Sequence, residues 1–492
     1  METLDLKELS KLLAAPEVSA IPRRNIFFRR LSAGLILFAS DILVLSFAMI
    51  ISILFREIFW TGEIDIFYYL EVVPVIILLF PLAFYFRGLY PGFGIDVIDE
   101  LRNLTYSITI VFAVIAAMSF FVKGAWEYSR LVFLSSWIIS LPLVPIGRSL
   151  IRKICSSKSW WGIPVIVIGA GEAGEKIINS LSKHKHIGLR PHVAVDDDVN
   201  RWGYINGIPV VGGLKTIPEL ARKLKIDHAI IAMPKVRRER QKEIIEEYSK
   251  YFTHTTVIPD LFGLTSLWVS TRDLGGILGL EVQQRLLRSS SIIKKRIFDI
   301  LLSLALSVIA LPLCIVISIM IWLDSKGKIL FKQIRMGIQD SRFNIVKFRT
   351  MHDDAETRLS HLLKQDIELK EEYEVYHKLR NDPRLTRVGK FLRKFSLDEL
   401  PQFINVIRGE MSLIGPRAYM PWEKYKMNGH EEMILNVKPG ISGLWQVTDR
   451  NASSFEERNN IDVYYIRNWS MFLDLYILAR TIAVVFSGKG AY

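Results

Sequence analysis

The chain has 492 residues, of which 50% are hydrophobic, and its formal net charge at pH 7 is +13. A mean hydropathy of +0.25 exceeds what a soluble protein of this length usually needs, so we expect a membrane protein of roughly three domains. The positive charge favours phospholipid headgroups or phosphorylated substrates, and because no nucleic-acid-binding pattern occurs, we expect no nucleic acid partner. The two cysteines, Cys155 and Cys314, have neither metal-ligand nor disulfide spacing.

Apolar stretches within residues 31–150 predict a four-helix transmembrane bundle, because each approaches the roughly 20 residues that a spanning helix needs. The stretches are Leu31–Phe55, Phe67–Phe86, Leu104–Val122 and Leu131–Ile146. Basic residues precede the first stretch and follow the fourth, which predicts that both ends of the bundle face the cytoplasm. Residues 1–30 then form a cytoplasmic N-terminal segment, since they lack the pattern of a cleavable signal. The alternative is a bundle of buried helices in a soluble protein.

A fifth apolar run, Ile300–Leu323, has Pro312 at its centre and basic residues on both sides. Flanks of the same charge favour both ends on one side of the membrane, and a central proline removes a helical hydrogen bond where a hairpin must break. We therefore predict a re-entrant membrane helix. The alternative is a kinked helix that crosses the membrane. The flanking basic residues are Lys294, Lys295 and Arg296 before the run, and Lys326, Lys328, Lys332 and Arg335 after it.

Residues 160–262 have the pattern of a shortened, Rossmann-like cytoplasmic α/β domain, in which apolar strands alternate with helical stretches. One strand leads into a loop with Gly169, Gly171 and Gly174 and then a helix, which presents a helix N-terminus to phosphate. Asp196 follows the next strand, near the place where an acid would meet ribose hydroxyls. A glycine-rich loop alone is a weak signal, so nucleotide binding and a scaffolding or regulatory role both stay open, and we assign no cofactor to the glycines.

From about residue 290 onward, an acidic pair, Asp398-Glu399, accompanies clusters of cations and Gly/Pro-containing loops. A diphosphate substrate carries charge that cations and a divalent metal must neutralise, and Mg²⁺ prefers carboxylate oxygens plus substrate phosphates. One carboxylate could attack phosphorus while its neighbour holds the metal. The clusters are Lys347–Met351, Asn381–Arg384, Gly409–Arg417 and Lys438–Gln446.

Two further stretches have mixed apolar and charged character. The basic stretch Arg387–Phe395 predicts an amphipathic helix, which fits a membrane surface and a packed core about equally well; the predicted re-entrant helix favours the membrane surface. The C-terminal stretch Met471–Phe486 is apolar but contains Asp474 and Arg480. We therefore expect it to be interfacial or packed and not to span the membrane.

The motifs Lys347–Met351, Ser396–Gln402, Ser412–Arg417 and Lys438–Gln446, in that order, resemble those of bacterial polyprenyl-phosphate hexose-1-phosphate transferases. These are monotopic enzymes that begin O-antigen or capsule assembly. The resemblance implies a mainly helical catalytic domain over residues 290–492, and the bundle and α/β domain resemble the larger family members. It implies a UDP-sugar, undecaprenyl phosphate and membrane lipid as partners, Mg²⁺ as cofactor, and the bacterial inner membrane as location.

By the same resemblance, Asp398 attacks the β-phosphorus of the UDP-sugar and UMP leaves, after which undecaprenyl phosphate takes the sugar phosphate. Glu399, beside Asp398, would bind Mg²⁺, and Pro312 would mark the break in the re-entrant helix. Phosphate oxygens would be held by Lys347, Arg393 and Arg417. This sequence departs from the family pattern in two places, with Glu410 where aspartate is expected and Ala418 where proline is expected.

Several alternatives stay open. Galactose is the expected hexose from the resemblance alone, and the residues do not distinguish it from glucose. A rival enzyme is a membrane-anchored, NAD-dependent nucleotide-sugar dehydratase or epimerase; its absent Tyr-x-x-x-Lys pair argues against it. The other rival is a non-enzymatic scaffold of polysaccharide export. A homodimer is expected because the extra membrane and α/β modules are not required by the chemistry.

Overall fold

The computed structural model describes residues 23–59, 66–119, 129–258, 269–273, 278–282, 286, 289–355, 357, 359, 382–448 and 454–487. Most of the predicted N-terminal segment, the end of the third apolar stretch and Asn381 lie outside these residues. The chain divides into two units, Met1–Gly263 and Leu264–Tyr492.

The first unit begins with four apolar helices. They are α1 (Arg23–Phe59), α2 (Ile66–Phe86), α3 (Val97–Ser119) and α4 (Arg130–Cys155). Within the described residues, α1, α3 and α4 are long and apolar enough to cross a membrane, whereas Val73–Phe86 of α2 counts only as a shorter apolar helix. Large apolar side chains such as Leu43, Leu78 and Ile138 are exposed. These features fit lipid-facing surfaces and agree with the predicted apolar stretches.

A buried network of charges joins these helices. Arg148 on α4 is 1% exposed, and its guanidinium donates to both carboxylate oxygens of Asp41 on α1 at 2.8 and 2.6 Å. Its Nη1 also donates to Glu100 on α3 at 3.1 Å, and Arg152 donates to the same carboxylate at 3.0 Å. Arg148 and Arg152 are among the basic residues that follow the fourth predicted apolar stretch, and both are buried and paired.

The α/β domain follows α4 and has a six-stranded sheet in the order β3-β4-β2-β1-β5-β6. All neighbouring strands are parallel except the β3–β4 pair. The strands are β1 (Ile163–Ile168), β2 (Leu189–Val195), β3 (Gly203–Ile205), β4 (Ile208–Val210), β5 (His228–Ile231) and β6 (His254–Val257). The helices are α5 (Glu172–Lys183), α6 (Ile217–Leu224) and α7 (Arg238–Tyr248).

Two apolar clusters cover the two faces of this sheet. On one face, Ile217 of α6 and Ile244 of α7 pack against Ile166 and Ile168 of β1. On the other face, Ile178 of α5 packs against Val167. Alternate residues of β1 point to opposite faces, so a strand buried on both sides is apolar throughout. The predicted doubly wound α/β domain is confirmed.

The second unit combines helices with short two-stranded sheets. Its strands are β7 (Val269–Asp273), β8 (Leu278–Val282), β9 (Leu330–Met336), β10 (Arg342–Phe348), β11 (Ser412–Ile414) and β12 (Gly440–Ser442). Its helices are α8 (Ser289–Asp324), α9 (Arg387–Lys394), α10 (Phe403–Arg408), α11 (Glu431–Leu435), α12 (Leu444–Thr448), α13 (Phe455–Arg467) and α14 (Met471–Ser487). Pairing is antiparallel in β7–β8 and β9–β10 and parallel in β11–β12.

The fifth apolar run forms most of α8, a 36-residue helix that contains Pro312. Near its N-terminal end, Lys295 pairs with Asp474 of α14 at 2.6 Å and Asp299 accepts a hydrogen bond from Ser412 at 2.7 Å. Near its C-terminal end, Ile317 and Ile321 pack into an apolar cluster of the same unit. The middle of the helix is exposed, for example at Val308, Ile309 and Leu311. Both ends of α8 therefore contact residues of one unit, whereas exposed apolar side chains occur along the whole helix, including Trp322 and Leu323. By length and composition Ser290–Asp324 could also cross a membrane.

Helix α14 packs in this unit, as the sequence predicted for the C-terminal stretch. Asp474 is fully buried and accepts hydrogen bonds from Lys295, Tyr465 and Trp469. A buried carboxylate needs such partners, because it loses the hydration that stabilises its charge.

Candidate active site

The predicted acidic pair lies in a short 3₁₀ helix, Leu397–Gln402, which follows α9 after a sharp turn. Ser396 makes that turn with a left-handed backbone conformation, φ 52°. Leu397 and Leu400 of the 3₁₀ helix pack on Ile317 and Ile321 of α8. The apolar side chains hold the 3₁₀ helix on α8, which leaves Asp398 and Glu399 partly buried.

Lys347 stands close to this pair, near the end of β10. Its Nζ donates to Oε1 of Glu399 at 2.7 Å, and both side chains are partly exposed. The residues are 52 positions apart in the chain and meet because the 3₁₀ helix lies against β10. The structure thus pairs Lys347, which the resemblance assigned to phosphate oxygens, with Glu399, which it assigned to Mg²⁺.

Asp398 differs from Glu399 in its surroundings. Within the described residues it forms no ion pair. Burial raises its pKa to about 6, against the lowering effect of Lys347; the charge of Glu399 raises the pKa further and that of Arg393 lowers it. The carboxylate is thus mostly ionised at neutral pH, but its charge is poorly stabilised by the protein. Such a group is a candidate nucleophile or base.

Arg393 lies in the last turn of α9, and a residue of the motif Lys347–Met351 fixes the position of its side chain. Its Nε donates to Oγ1 of Thr350 at 3.0 Å. Gly389 permits the close approach of α9, because a Cβ there would lie 2.0 Å from the carbonyl oxygen of Thr350. Arg349 plays another part, since its guanidinium donates to the carbonyls of Ser325 and Lys326 just after α8.

Arg417 lies in a different cluster. Its backbone N–H donates to Asp462 at 3.1 Å, its Nη2 is 3.4 Å from Glu423, and its guanidinium lies 5.8 Å from the ring centroid of Trp445. The charges that act on Asp398 are those of Lys347, Glu399 and Arg393. The structure thus brings four of the five predicted residues together and places Arg417 with another group of cations.

Parallel pairing of β11 and β12 brings two of the predicted loops together. A Cβ on Gly440 would lie 2.1 Å from the backbone nitrogen of Gly415, so these glycines allow the two backbones to touch. The two departures from the family pattern, Glu410 and Ala418, both make hydrogen bonds within this unit. Glu410 accepts from Asn405 at 2.6 Å, and Ala418 accepts from Arg335 through its backbone carbonyl at 2.9 Å. Neither side chain takes part in the Asp398 site.

The second cluster also contains Arg335, Arg458 and Asp462, which were not predicted as site residues. Arg335, which we read as a flank of the apolar run, is 7% exposed. Arg458 lies 5.2 Å from the ring centroid of Trp445, and Asp462 is fully buried with its pKa raised to about 7 by burial. No motif includes these three residues. Their positions between or beside the family-like motifs could nevertheless have indicated that they belong to the site.

A magnesium site would rest on few protein ligands. Within the described residues, no group of three or more His, Cys, Asp or Glu side chains lies together. Asp398 and Glu399 nevertheless offer adjacent hard oxygen donors, and Mg²⁺ is commonly bound through one or two carboxylates together with substrate phosphates. The residues present therefore fit an ion that arrives with a diphosphate.

The glycine-rich loop of the α/β domain is a second candidate site. Asp196 accepts from the loop's own Ala170 N–H at 2.7 Å and from Arg201 Nη1 at 3.2 Å. A Cβ on Gly171 would lie 2.6 Å from Arg201 Nη1. The acid that would meet a ribose is thus already bonded to the protein, and Arg201 covers the loop where a phosphate would approach.

Comparison with known proteins agrees with the class of enzyme that these motifs indicate. Residues 290–488 match the family model of bacterial sugar transferases, and residues 87–259 match a model described as a CoA-binding domain. The chain belongs to the bacterial polyprenyl-phosphate hexose-1-phosphate transferases, as the resemblance of its motifs predicted.

Three relatives show how far the similarity extends. The UDP-galactose-lipid carrier transferase of Erwinia amylovora is 32% identical over 403 residues, which cover 80% of this chain and 82% of the relative. The undecaprenyl-phosphate galactose phosphotransferase of Salmonella typhimurium is 33% identical, with the same shares of 80% and 82%. The UDP-glucose:undecaprenyl-phosphate glucose-1-phosphate transferase of Klebsiella pneumoniae is 27% identical over 92% of this chain and 95% of the relative.

Proposed function

We propose that this protein transfers a hexose 1-phosphate from a UDP-hexose to undecaprenyl phosphate, which gives undecaprenyl-diphosphate-hexose and UMP. The observation that carries the proposal is the partly buried Asp398, with its pKa raised to about 6, beside the Lys347–Glu399 pair and Arg393. The names of the relatives in Erwinia, Salmonella and Klebsiella support the same reaction class. The product would begin the assembly of a surface polysaccharide.

The reaction would proceed in two displacements at one phosphorus atom. A carboxylate oxygen of Asp398 attacks the β-phosphorus, the bond from that phosphorus to the bridging oxygen breaks, and UMP leaves with the bonding electron pair. An oxygen of undecaprenyl phosphate then attacks the same phosphorus. The bond to Asp398 breaks, and the carboxylate is regenerated. No oxidant or reductant is needed.

The neighbouring cations have distinct tasks in this scheme. Lys347 and Arg393 would bind the oxygens of the transferred phosphate and stabilise the charge that develops on them. Glu399 and Asp398 would hold Mg²⁺, and the ion would neutralise diphosphate charge when it is bound. The poor stabilisation of the Asp398 charge keeps that carboxylate reactive, because its attack on phosphorus removes a charge from a partly buried place.

Helix α8 would place this chemistry at the membrane surface. We propose that it enters and leaves on the cytoplasmic side of the inner membrane with its break at Pro312. The support is that Lys295 and Asp299 near one end and Ile321 near the other pack against the same unit, while the middle is exposed and apolar. Cysteine labelling at Val308 and Ser325 from either side of sealed vesicles would distinguish this from a full crossing, which places Ser325 outside.

Galactose is the proposed donor sugar, with glucose as the alternative. The relatives at 32% and 33% identity carry galactose in their names, whereas the relative at 27% carries glucose. Epimers differ in one hydroxyl group, and discrimination depends on which polar side chain meets that hydroxyl.

The decisive experiment follows UMP release by the full-length protein in lipid particles with Mg²⁺ and either UDP-galactose or UDP-glucose. Addition of undecaprenyl phosphate should convert a single release per enzyme into continuous turnover. Trapping of labelled sugar phosphate on the protein, before acceptor is added, would identify the covalent intermediate. No release from either UDP-hexose would refute the proposal.

The sequence does not favour the rival dehydratase or epimerase, because it lacks the Tyr-x-x-x-Lys pair, and Asp196 is already bonded to Ala170 and Arg201. Absorbance of a bound nicotinamide in the purified protein tests this rival directly. A scaffold would release no UMP and would not respond to Mg²⁺. The homodimer stays a prediction, which the mass of the particle in native lipid would test.

A further inference from the structure

The second cluster contains more positive charge than the protein itself balances. Its cations are Arg335, Arg417 and Arg458, which stay charged at neutral pH. The acids that act on these cations are Glu423, which is 3.4 Å from Arg417, the fully buried Asp462 and, at Arg335, Glu399 of the acidic pair. Burial raises the pKa of Asp462 to about 7, so its carboxyl is only about half ionised there. Three guanidiniums therefore share three carboxylates, of which Asp462 is buried and Glu399 is already paired with Lys347.

Two of these guanidiniums have donors that lack a partner. Nε of Arg335 and Nε of Arg458 are buried and have no hydrogen-bond partner within the described residues. Arg335 is 7% exposed, and its other donors bind the carbonyl of Ala418 and the side chain of Gln333. A buried charged donor without a partner is costly. Arg190 and Arg349 have the same unpaired Nε, so an anion is indicated here because two such donors lie beside a third guanidinium.

The charges also disturb one another. Burial lowers the pKa of Arg335 to about 10, and the charge of Arg417 adds to that lowering. Burial and Arg417 lower the pKa of Arg458 as well. Arg417 and Arg458 both lie against the ring of Trp445, at 5.8 and 5.2 Å from its centroid. The aromatic ring holds two like charges near each other, an arrangement that an anion between them would relieve.

The cluster is connected to the Asp398 site through the β9–β10 ribbon. Arg335 is opposite Phe343, and Lys347 is opposite Phe331. Directly opposed residues share a face, and alternate residues of a strand do so too, so Arg335 and Lys347 lie on one face of the ribbon. Four residues of strand separate their positions, about 13 Å of backbone. Long side chains at these positions can bind different phosphates of one reaction.

We propose that Arg335, Arg417 and Arg458 form a second phosphate-binding position, separate from the Lys347–Arg393 position at Asp398. This inference rests on the proposed transferase function. The ligand is a terminal phosphate monoester, which two reactants supply: the leaving UMP and the polyprenyl phosphate acceptor. Arginine forks bind phosphate oxygens with two hydrogen bonds each, which suits a doubly charged group.

The test measures equilibrium binding of UMP and, separately, of a short-chain polyprenyl phosphate to the full-length protein in lipid particles. Arg458→Gln removes one charge, and we expect it to weaken one of these two ligands about tenfold, the usual effect of losing one charge-assisted hydrogen bond. Arg467→Gln on the same helix, α13, is the matched control and should change neither Kd more than about twofold. Weaker UMP binding identifies the nucleotide phosphate; weaker polyprenyl phosphate binding identifies the acceptor phosphate.

The inference is overturned if Arg458→Gln and Arg335→Lys both leave the two Kd values unchanged, or if the wild-type protein binds neither ligand. Arg335→Lys keeps the charge and loses Nε, so it tests the buried donor in a protein that retains its charge balance. Arg458→Lys replaces Arg458→Gln if that variant does not fold. The binding measurement does not depend on turnover. Absence of UMP release from UDP-hexoses would therefore refute the transferase function without deciding whether the three arginines bind a phosphate.

Discussion

The helical bundle and the surroundings of Asp398 hold charged side chains in opposite ways, although buried charges elsewhere in the second unit, such as Asp474 with Lys295, are paired as well. In the helical bundle, Arg148 shares its donors among both oxygens of Asp41, one oxygen of Glu100 and the carbonyl of Leu89. In the catalytic unit, Asp398 forms no ion pair within the described residues, and two arginines nearby keep an unpaired Nε. Charged residues therefore have two different roles in this molecule. Fully paired charges hold helices together, and incompletely paired charges are available to a substrate.

The largest expected effect separates activity from stability at Asp398. Asp398→Asn should lower turnover on the order of a thousandfold or more, because the amide is a poor nucleophile. It should not lower the thermal stability. Burial raises the pKa of this group to about 6, so its ionised form is disfavoured in the folded state and its charge destabilises the fold increasingly as pH rises from about 4 through 6. UMP release and thermal unfolding of the same preparation, with Asp340→Asn as control, measure both quantities.

Substitution of Arg148, in contrast to Asp398→Asn, should lower the stability of the protein. Arg148→Met leaves Asp41 and Glu100 buried without their common partner, which should lower the free energy of unfolding by about 3–5 kcal/mol. Lys153→Met on the exposed side of the same helix should change it little. Thermal unfolding in matched lipid particles compares the two variants. Equal stability of Arg148→Met and Lys153→Met would show that the paired charges of Arg148 do not stabilise the bundle.

Gly389 tests how rigidly the catalytic unit holds Arg393. Gly389→Ala places a Cβ 2.0 Å from the carbonyl oxygen of Thr350, so α9 must move and the Arg393–Thr350 hydrogen bond must lengthen. We expect a loss of about 1–3 kcal/mol in the free energy of unfolding, with lower kcat. Gly34→Ala in α1 is the control, because a Cβ there meets nothing within 4 Å. If Gly389→Ala is as stable and active as Gly34→Ala, α9 does not position Arg393 in this way.

The smallest effect is a shift of the pH profile. The acid limb of kcat/KM should have its midpoint near pH 6, since Asp398 must lose its proton before it attacks. Lys347→Met should move the midpoint to higher pH because it removes a positive charge. Glu399→Gln should move it to lower pH because it removes a negative charge. Shifts in the same direction, or none, would show that another group controls the limb.

Local patterns in the sequence were sufficient for the elements and for the acidic pair. The apolar stretches, the alternation in residues 160–262 and the motif Ser396–Gln402 each depend on residues close together in the chain, and the structure has a helix or strand at each. Local patterns identified Arg148, Arg152 and Arg335 only as basic flanks of apolar stretches and did not indicate that they are buried. Their partners are distant in sequence: Asp41 lies 107 positions from Arg148, and Ala418 lies 83 positions from Arg335.

The amino-acid sequence by itself determined that this is a membrane protein with an α/β domain and an acidic pair among family-like motifs, because apolar length, strand periodicity and motif order are properties of contiguous residues. The tertiary structure alone decided which charges are satisfied. It bonded Asp196 to its own loop, placed Arg417 with Arg335 and Arg458, and left Asp398 without an ion pair within the described residues. Burial and pairing decide the reactivity of a charge, and both arise only when residues from distant parts of the chain meet.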